Sequence, residues 1–137
     1  MLRSITAVVI GFLVTFILVM STDAALRLLL PWAYAPDGSV TSVPVLVGIL
    51  LYVAVFAILG TYLTARLAPS RPMRHALALG VIALLGSIPA TIAYWSTAPV
   101  WYHVAGLVLV MPLAWVGGRL RERQLERRVA PAHEAAA

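Results

Sequence analysis

Asp23 and Arg27 stand four residues apart, the spacing that lets opposite charges meet on one face of a helix, and they sit near the end of a long apolar run. Two chemistries can use such a pair. It can close on itself as an interfacial ion pair, with Arg27 extending along Leu26, Leu28, Leu29 and Leu30 toward water. It can also form a polar mouth with His103 that handles a solute or a proton at one membrane face. The ion pair is the expected arrangement, and Asp23, Arg27 and His103 are the candidates for an outer-mouth polar site. Asp23, His103, Ser21 and Ser96 hold the residue types of a hydrolytic triad, but no nucleophile elbow or comparable local signature joins them.

Other chemistries find less. A haem between helices needs two axial ligands in one pocket, and His75 and His103 are expected at opposite membrane faces, with His133 in the tail. One or two hard ligands at a single face are too few for an all-protein metal cage. The chain has no cysteine, which removes disulfides, thiolate metal ligands and thiol nucleophiles together. It has no Gly-rich phosphate loop with a lysine. The polar groups expected within the spans are Thr6, Thr15, Tyr52, Thr61, Tyr62, Thr64, Ser87 and Thr91, none ionised near neutral pH. Coupled transport usually needs a carboxylate or histidine near the membrane centre. The expectation is a non-enzymatic protein without cofactor or metal.

These residues are positioned by a chain that is 62% hydrophobic and only 11% charged over 137 residues. Soluble domains are about 45–50% apolar and about 25% charged, so the bilayer must serve as solvent for most of this surface. Residues 38–65 and 76–118 contain no Asp, Glu, Lys or Arg. Between these tracts lie Arg66, Arg71, Arg74 and His75, broken by Pro69 and Pro72: a short basic turn joining two hydrocarbon-length segments. The second tract is too long for one helix and holds two spans of about 20 residues and a tight turn.

One all-α domain over residues 1–130 follows, a four-helix antiparallel transmembrane bundle with spans at about 4–30, 44–66, 74–95 and 100–119. The apolar run at residues 5–21 exceeds the usual ~7–15-residue core of a signal peptide, so the first span is expected to be retained. Pro31 stops it, and Trp32, Tyr34 and the Pro36-Asp37-Gly38 triplet suit a turn in the headgroup layer. Small residues recur at four-residue spacing: Gly11/Thr15, Ala57/Thr61/Ala65, Ala76/Gly80, Gly86/Ala90 and Ala114/Gly118. Each such pair lets a neighbouring helix approach closely. Pro89 is expected to kink the third span, with Ser87 or a neighbour satisfying the freed carbonyl. Tyr94, Trp95, Trp101 and Tyr102 mark the second external turn, while Tyr62 reads as an anchor at the opposite interface.

All ten basic residues are arginine. Arg3, Arg66, Arg71, Arg74, Arg119, Arg121, Arg123, Arg127 and Arg128 fall on one side of this topology and Arg27 alone on the other. The positive-inside rule then puts both termini in the cytoplasm. Residues 119–129 read as a basic helical extension and 131–137 as a flexible tail. Arg66, Arg71, Arg74, Arg119, Arg121, Arg123, Arg127 and Arg128 are the candidate contacts to anionic headgroups, which explains the net charge of +5 without nucleic acid.

The stretch GTYLTARLAPSRPMRHA at residues 60–76, with GGRLRE at 117–122, resembles the small four-span inner-membrane proteins of bacteria grouped as domains of unknown function. The resemblance runs from the second span to the arginine cluster. It implies a bacterial inner-membrane protein and transfers no functional residue. The functional expectation is an accessory or assembly partner of a larger membrane complex. The alternative is a small-solute permease or channel acting as a homo-oligomer.

Overall fold

A computed structural model describes the backbone of residues 2–134 and the side chains of residues 2–127. Four helices make the fold: α1 (Leu2–Leu29), α2 (Val43–Leu67), α3 (Pro72–Ala93) and α4 (Val100–Glu134). Each is long and apolar enough to cross a membrane. Large apolar side chains such as Phe16, Ile17, Leu51, Leu85 and Val108 are exposed along all four, the pattern of helices whose surroundings are hydrocarbon. The expected all-α, four-span architecture is therefore present, and no strand occurs among the described residues.

Pro44 and Pro72 open α2 and α3 in their first turns, where a missing N–H is harmless. Arg71 precedes α3 with a φ of 48°, a left-handed conformation that lets the chain reverse within the residues between α2 and α3. Its carbonyl accepts hydrogen bonds from Arg74 N–H at 3.0 Å and His75 Nδ1–H at 3.2 Å. The third span thus begins two residues earlier than the arginine pattern suggests, because the turn closes before Pro72 and not after it. α4 continues without a break from the apolar span through the basic segment to Glu134, into the stretch read as a tail, while residues 135–137 lie outside the description.

The helices run alternately up and down. One end carries Arg3, the α2–α3 turn and the basic half of α4; the other carries the aromatic residues of both remaining loops. α2 touches all three other helices, α3 packs along α4, and α1 meets α2 and part of α3. α1 and α4 scarcely meet.

Contact is closest toward the arginine end. A Cβ at Gly11 would fall on Thr64 Oγ1 and lie 2.7 Å from the Gly60 carbonyl, and one at Gly60 would fall on Thr15 Oγ1. Gly117 faces Thr61 in the same way, with the Ile58 carbonyl at 2.8 Å. Gly80 opposes Ala114, and Gly118 opposes Met73 and Ala76. Backbones approach this closely only where side chains are absent, so dispersion contacts replace the hydrophobic drive that lipid does not supply. Thr64 is fully buried with its hydroxyl unpartnered among the described residues, its oxygen occupying the space over Gly11.

Candidate functional site

Toward the aromatic end the same helices separate. A cavity of about 480 Å³ opens there, walled by all four helices and almost entirely apolar. Its floor is the glycine layer at Thr61, Gly80 and Ala114, and its upper rim is Val19, Leu50, Ala90 and Gly106. Phe12 and Phe16, stacked with ring centroids 6.1 Å apart, form one wall. Phe12, Phe16, Gly86, Ala90 and Leu109 line the cavity and are also exposed, so it opens sideways on the apolar surface of the bundle. A Cβ built on Gly86 or Gly106 meets nothing within 4 Å. An apolar cavity of ~150 Å³ suffices for a benzene ring, and drug-sized ligands occupy about 300–1,000 Å³.

Above it lies a smaller chamber of about 140 Å³ that includes Asp23, Arg27, Tyr34, Leu46, Ile49 and Tyr102 among its walls. Here the expected Asp23–Arg27 ion pair does not form. Asp23 instead accepts a hydrogen bond from the Tyr52 hydroxyl of α2, and the Arg27 guanidinium lies over the Tyr34 ring, 5.1 Å from its centroid. Tertiary partners displaced the local one: α2 delivers a phenol to the carboxylate, and the loop after α1 folds an aromatic face under the guanidinium. The one ion pair among the described residues joins Arg119 Nη1 to Glu122 Oε2 at 3.2 Å.

The loops roof this chamber. Ala35 N–H donates to Ser39 O at 2.9 Å and Gly38 N–H to Ala35 O at 2.8 Å. Gly38 takes φ +81°, as the Pro-Asp-Gly turn demands. The Asp37 carboxylate accepts the Ser39 N–H at 3.0 Å, and that backbone bond holds its pKa below the usual carboxylate value. Val40 N–H donates to Thr97 O at 2.8 Å, which ties the α1–α2 loop to the α3–α4 loop.

His103 does not join Asp23 and Arg27 in the chamber. It is buried at 7% exposure, stacked on Trp95 at 5.1 Å, and its Nε2–H donates to the Trp95 carbonyl at 3.2 Å. A ring nitrogen facing a carbonyl must carry the proton, so that tautomer is set by structure. The imidazole braces the second loop. His75 lies at the other end of the bundle, so the two histidines are separated as the topology required.

The arginine end also differs in detail from its sequence reading. Arg66, Arg71, Arg74, Arg119, Arg123 and Arg127 are exposed there, with Arg128 outside the described side chains. Arg119 is engaged by Glu122 and by the Trp115 ring at 5.6 Å. Arg121 is half-buried and donates to Gln124 Oε1 at 2.7 Å, while the Tyr62 hydroxyl donates to the same oxygen at 2.9 Å. Tyr62 is therefore a strut between α2 and α4 as well as an interfacial residue. Ser87 donates to Leu84 O at 2.9 Å, not to Leu85 O, the carbonyl that Pro89 deprives of its donor.

Sequence reasoning passed over Tyr52 as the partner of Asp23. A signal existed. Tyr52 lies eight residues from Gly60 and Asp23 eight from Thr15, so once Gly60 is known to pack on Thr15 the two fall at one depth, about 12 Å beyond the seam.

No protein-family model, curated protein or solved structure matches this chain. Function must be read from the geometry.

Proposed function

We propose that this chain is a non-enzymatic multi-pass protein of a bacterial inner membrane that takes up an apolar, membrane-resident molecule between its helices, with both termini in the cytoplasm. The observation that carries the reading is the sideways-opening apolar cavity above a sealed glycine layer. The seal counts against conduction through a single bundle, and a permease would need its path between copies. The orientation rests on arginine placement, and the exposed arginines suit anionic headgroups.

The test is thermal unfolding in detergent with hexadecane as the probe. Wild-type protein is expected to be stabilised, and Gly86→Leu, which places a side chain in open cavity space, loses that stabilisation. An equal shift in both proteins overturns the reading. Because the chain lacks cysteine, single cysteines at Ser39 and Ser70 report the topology directly. An impermeant maleimide should label Ser39→Cys from the periplasmic side only and Ser70→Cys from the cytoplasmic side only.

A second reading keeps the role of assembly partner. Gly86 and Ala90 form a small-residue pair one turn apart that no helix covers among the described residues, the kind of face a partner helix would use. A stoichiometric membrane protein co-purifying with wild type and lost from Gly86→Leu supports it.

A further inference from the structure

The two chambers are stacked. On three helices the wall of the apolar cavity passes into the wall of the polar chamber within one turn: Val19 to Asp23 on α1, Leu50 to Leu46 on α2, and Gly106 to Tyr102 on α4. From Gly80 at the floor to Ala90 at the rim is ten residues, about 15 Å, which is half of the ~30 Å hydrocarbon thickness. The apolar chamber therefore has the depth of one leaflet, and the polar chamber falls where that leaflet's headgroups begin.

The polar chamber is ordered by depth. The Asp23 carboxylate, held by the Tyr52 hydroxyl, comes first above the cavity, and Arg27 stands one turn further out. Asp23 is an acceptor with lone pairs beyond the one Tyr52 uses, while Arg27 has no carboxylate partner among the described residues and offers its fork to an anion. A complementary ligand carries, in this order, one hydrocarbon chain, a hydroxyl donor and a phosphate. A diacyl phospholipid lacks the free glycerol hydroxyl that would donate to Asp23.

We propose that the stacked chambers bind a single-chain lysophospholipid, its chain in the apolar cavity, its free glycerol hydroxyl on Asp23 and its phosphate on Arg27. This rests on the reading that the cavity takes an apolar molecule from the bilayer and adds the class of that molecule. The order of groups excludes a plain fatty alcohol as the preferred ligand, since such a ligand leaves Arg27 unused.

The experiment is native mass spectrometry from mild detergent with three probes: palmitoyl-lysophosphatidylethanolamine, dipalmitoyl-phosphatidylethanolamine and hexadecanol. Wild type should retain one lysophospholipid per chain in preference to both other probes. Arg27→Gln should weaken lysophospholipid retention by about tenfold or more, as expected for a lost charge-assisted hydrogen bond, and leave hexadecanol unchanged. Gly86→Leu should weaken both. Equal retention of the diacyl lipid, or an Arg27→Gln variant that binds lysophospholipid as wild type does, overturns the assignment and leaves the apolar-cavity reading standing. A Gly86→Leu variant that binds all three probes normally overturns both.

Discussion

Gly80 and Gly86 sit on the same helix, less than two turns apart, and have opposite surroundings. A Cβ at Gly80 would lie 2.6 Å from that of Ala114, whereas one at Gly86 would meet nothing within 4 Å. The bundle is divided in the same way. Toward the arginine end, glycines and threonines bring four backbones together; toward the aromatic end, the same kinds of small residue line open space. A small side chain permits close approach and does not compel it. What decides is whether a second helix supplies a matching concavity at that depth, as Gly117 does for Thr61 and nothing among the described residues does for Gly86.

The largest expected effect separates the halves directly. Gly117→Val drives two methyls into Thr61 and the α2 backbone and should cost about 3 kcal/mol or more, enough to broaden or abolish cooperative thermal unfolding in detergent. Gly86→Leu should shift stability by less than about 0.5 kcal/mol. Similar losses from both would erase the distinction between seam and cavity. Tyr52→Phe comes next: it removes the hydroxyl from Asp23 and should cost about 1–2 kcal/mol by the same measurement, a value that places the join between the chambers under tertiary control.

Tyr62→Phe removes the bond to Gln124 at the opposite end and should cost about 0.5–1 kcal/mol, with little effect on any ligand in the cavity. The smallest effect is at Asp37. Its folded pKa lies below the unfolded value of about 3.9, so its contribution is complete above that pH and disappears as pH falls through the folded value. Asp37→Asn should flatten this part of an acid-unfolding curve, because it removes at pH 7 the small contribution that wild type loses only on acidification.

Much of the scaffold was legible in the chain. Charge-free tracts, arginine-rich turns and Pro-Asp-Gly specified four spans and their reversals because hydrocarbon tolerates so few alternatives. The Gly11/Thr15 pair and the Thr61/Ala65 part of the α2 ridge announced the seam correctly, whereas Ala57 lines the cavity. The Asp23–Arg27 spacing misled, since helical proximity states only that two groups can meet. It is silent on a tyrosine arriving from another helix and an aromatic ring arriving from a loop. The cavity was not legible at all, for Gly86/Ala90 and Ala76/Gly80 carry the same pattern and only how closely α4 approaches α3 at each depth tells them apart.

The Val40–Thr97 backbone bond ties the two loops together above the polar chamber, and the glycine layer closes the bundle from below. On the proposed reading a ligand enters through the open side wall, from molecules already dissolved among the acyl chains. For such a receptor the governing variable is mole fraction within a leaflet, not concentration in water. Its encounters are collisions in a two-dimensional fluid, and a change in bilayer composition alone is enough to fill or empty it.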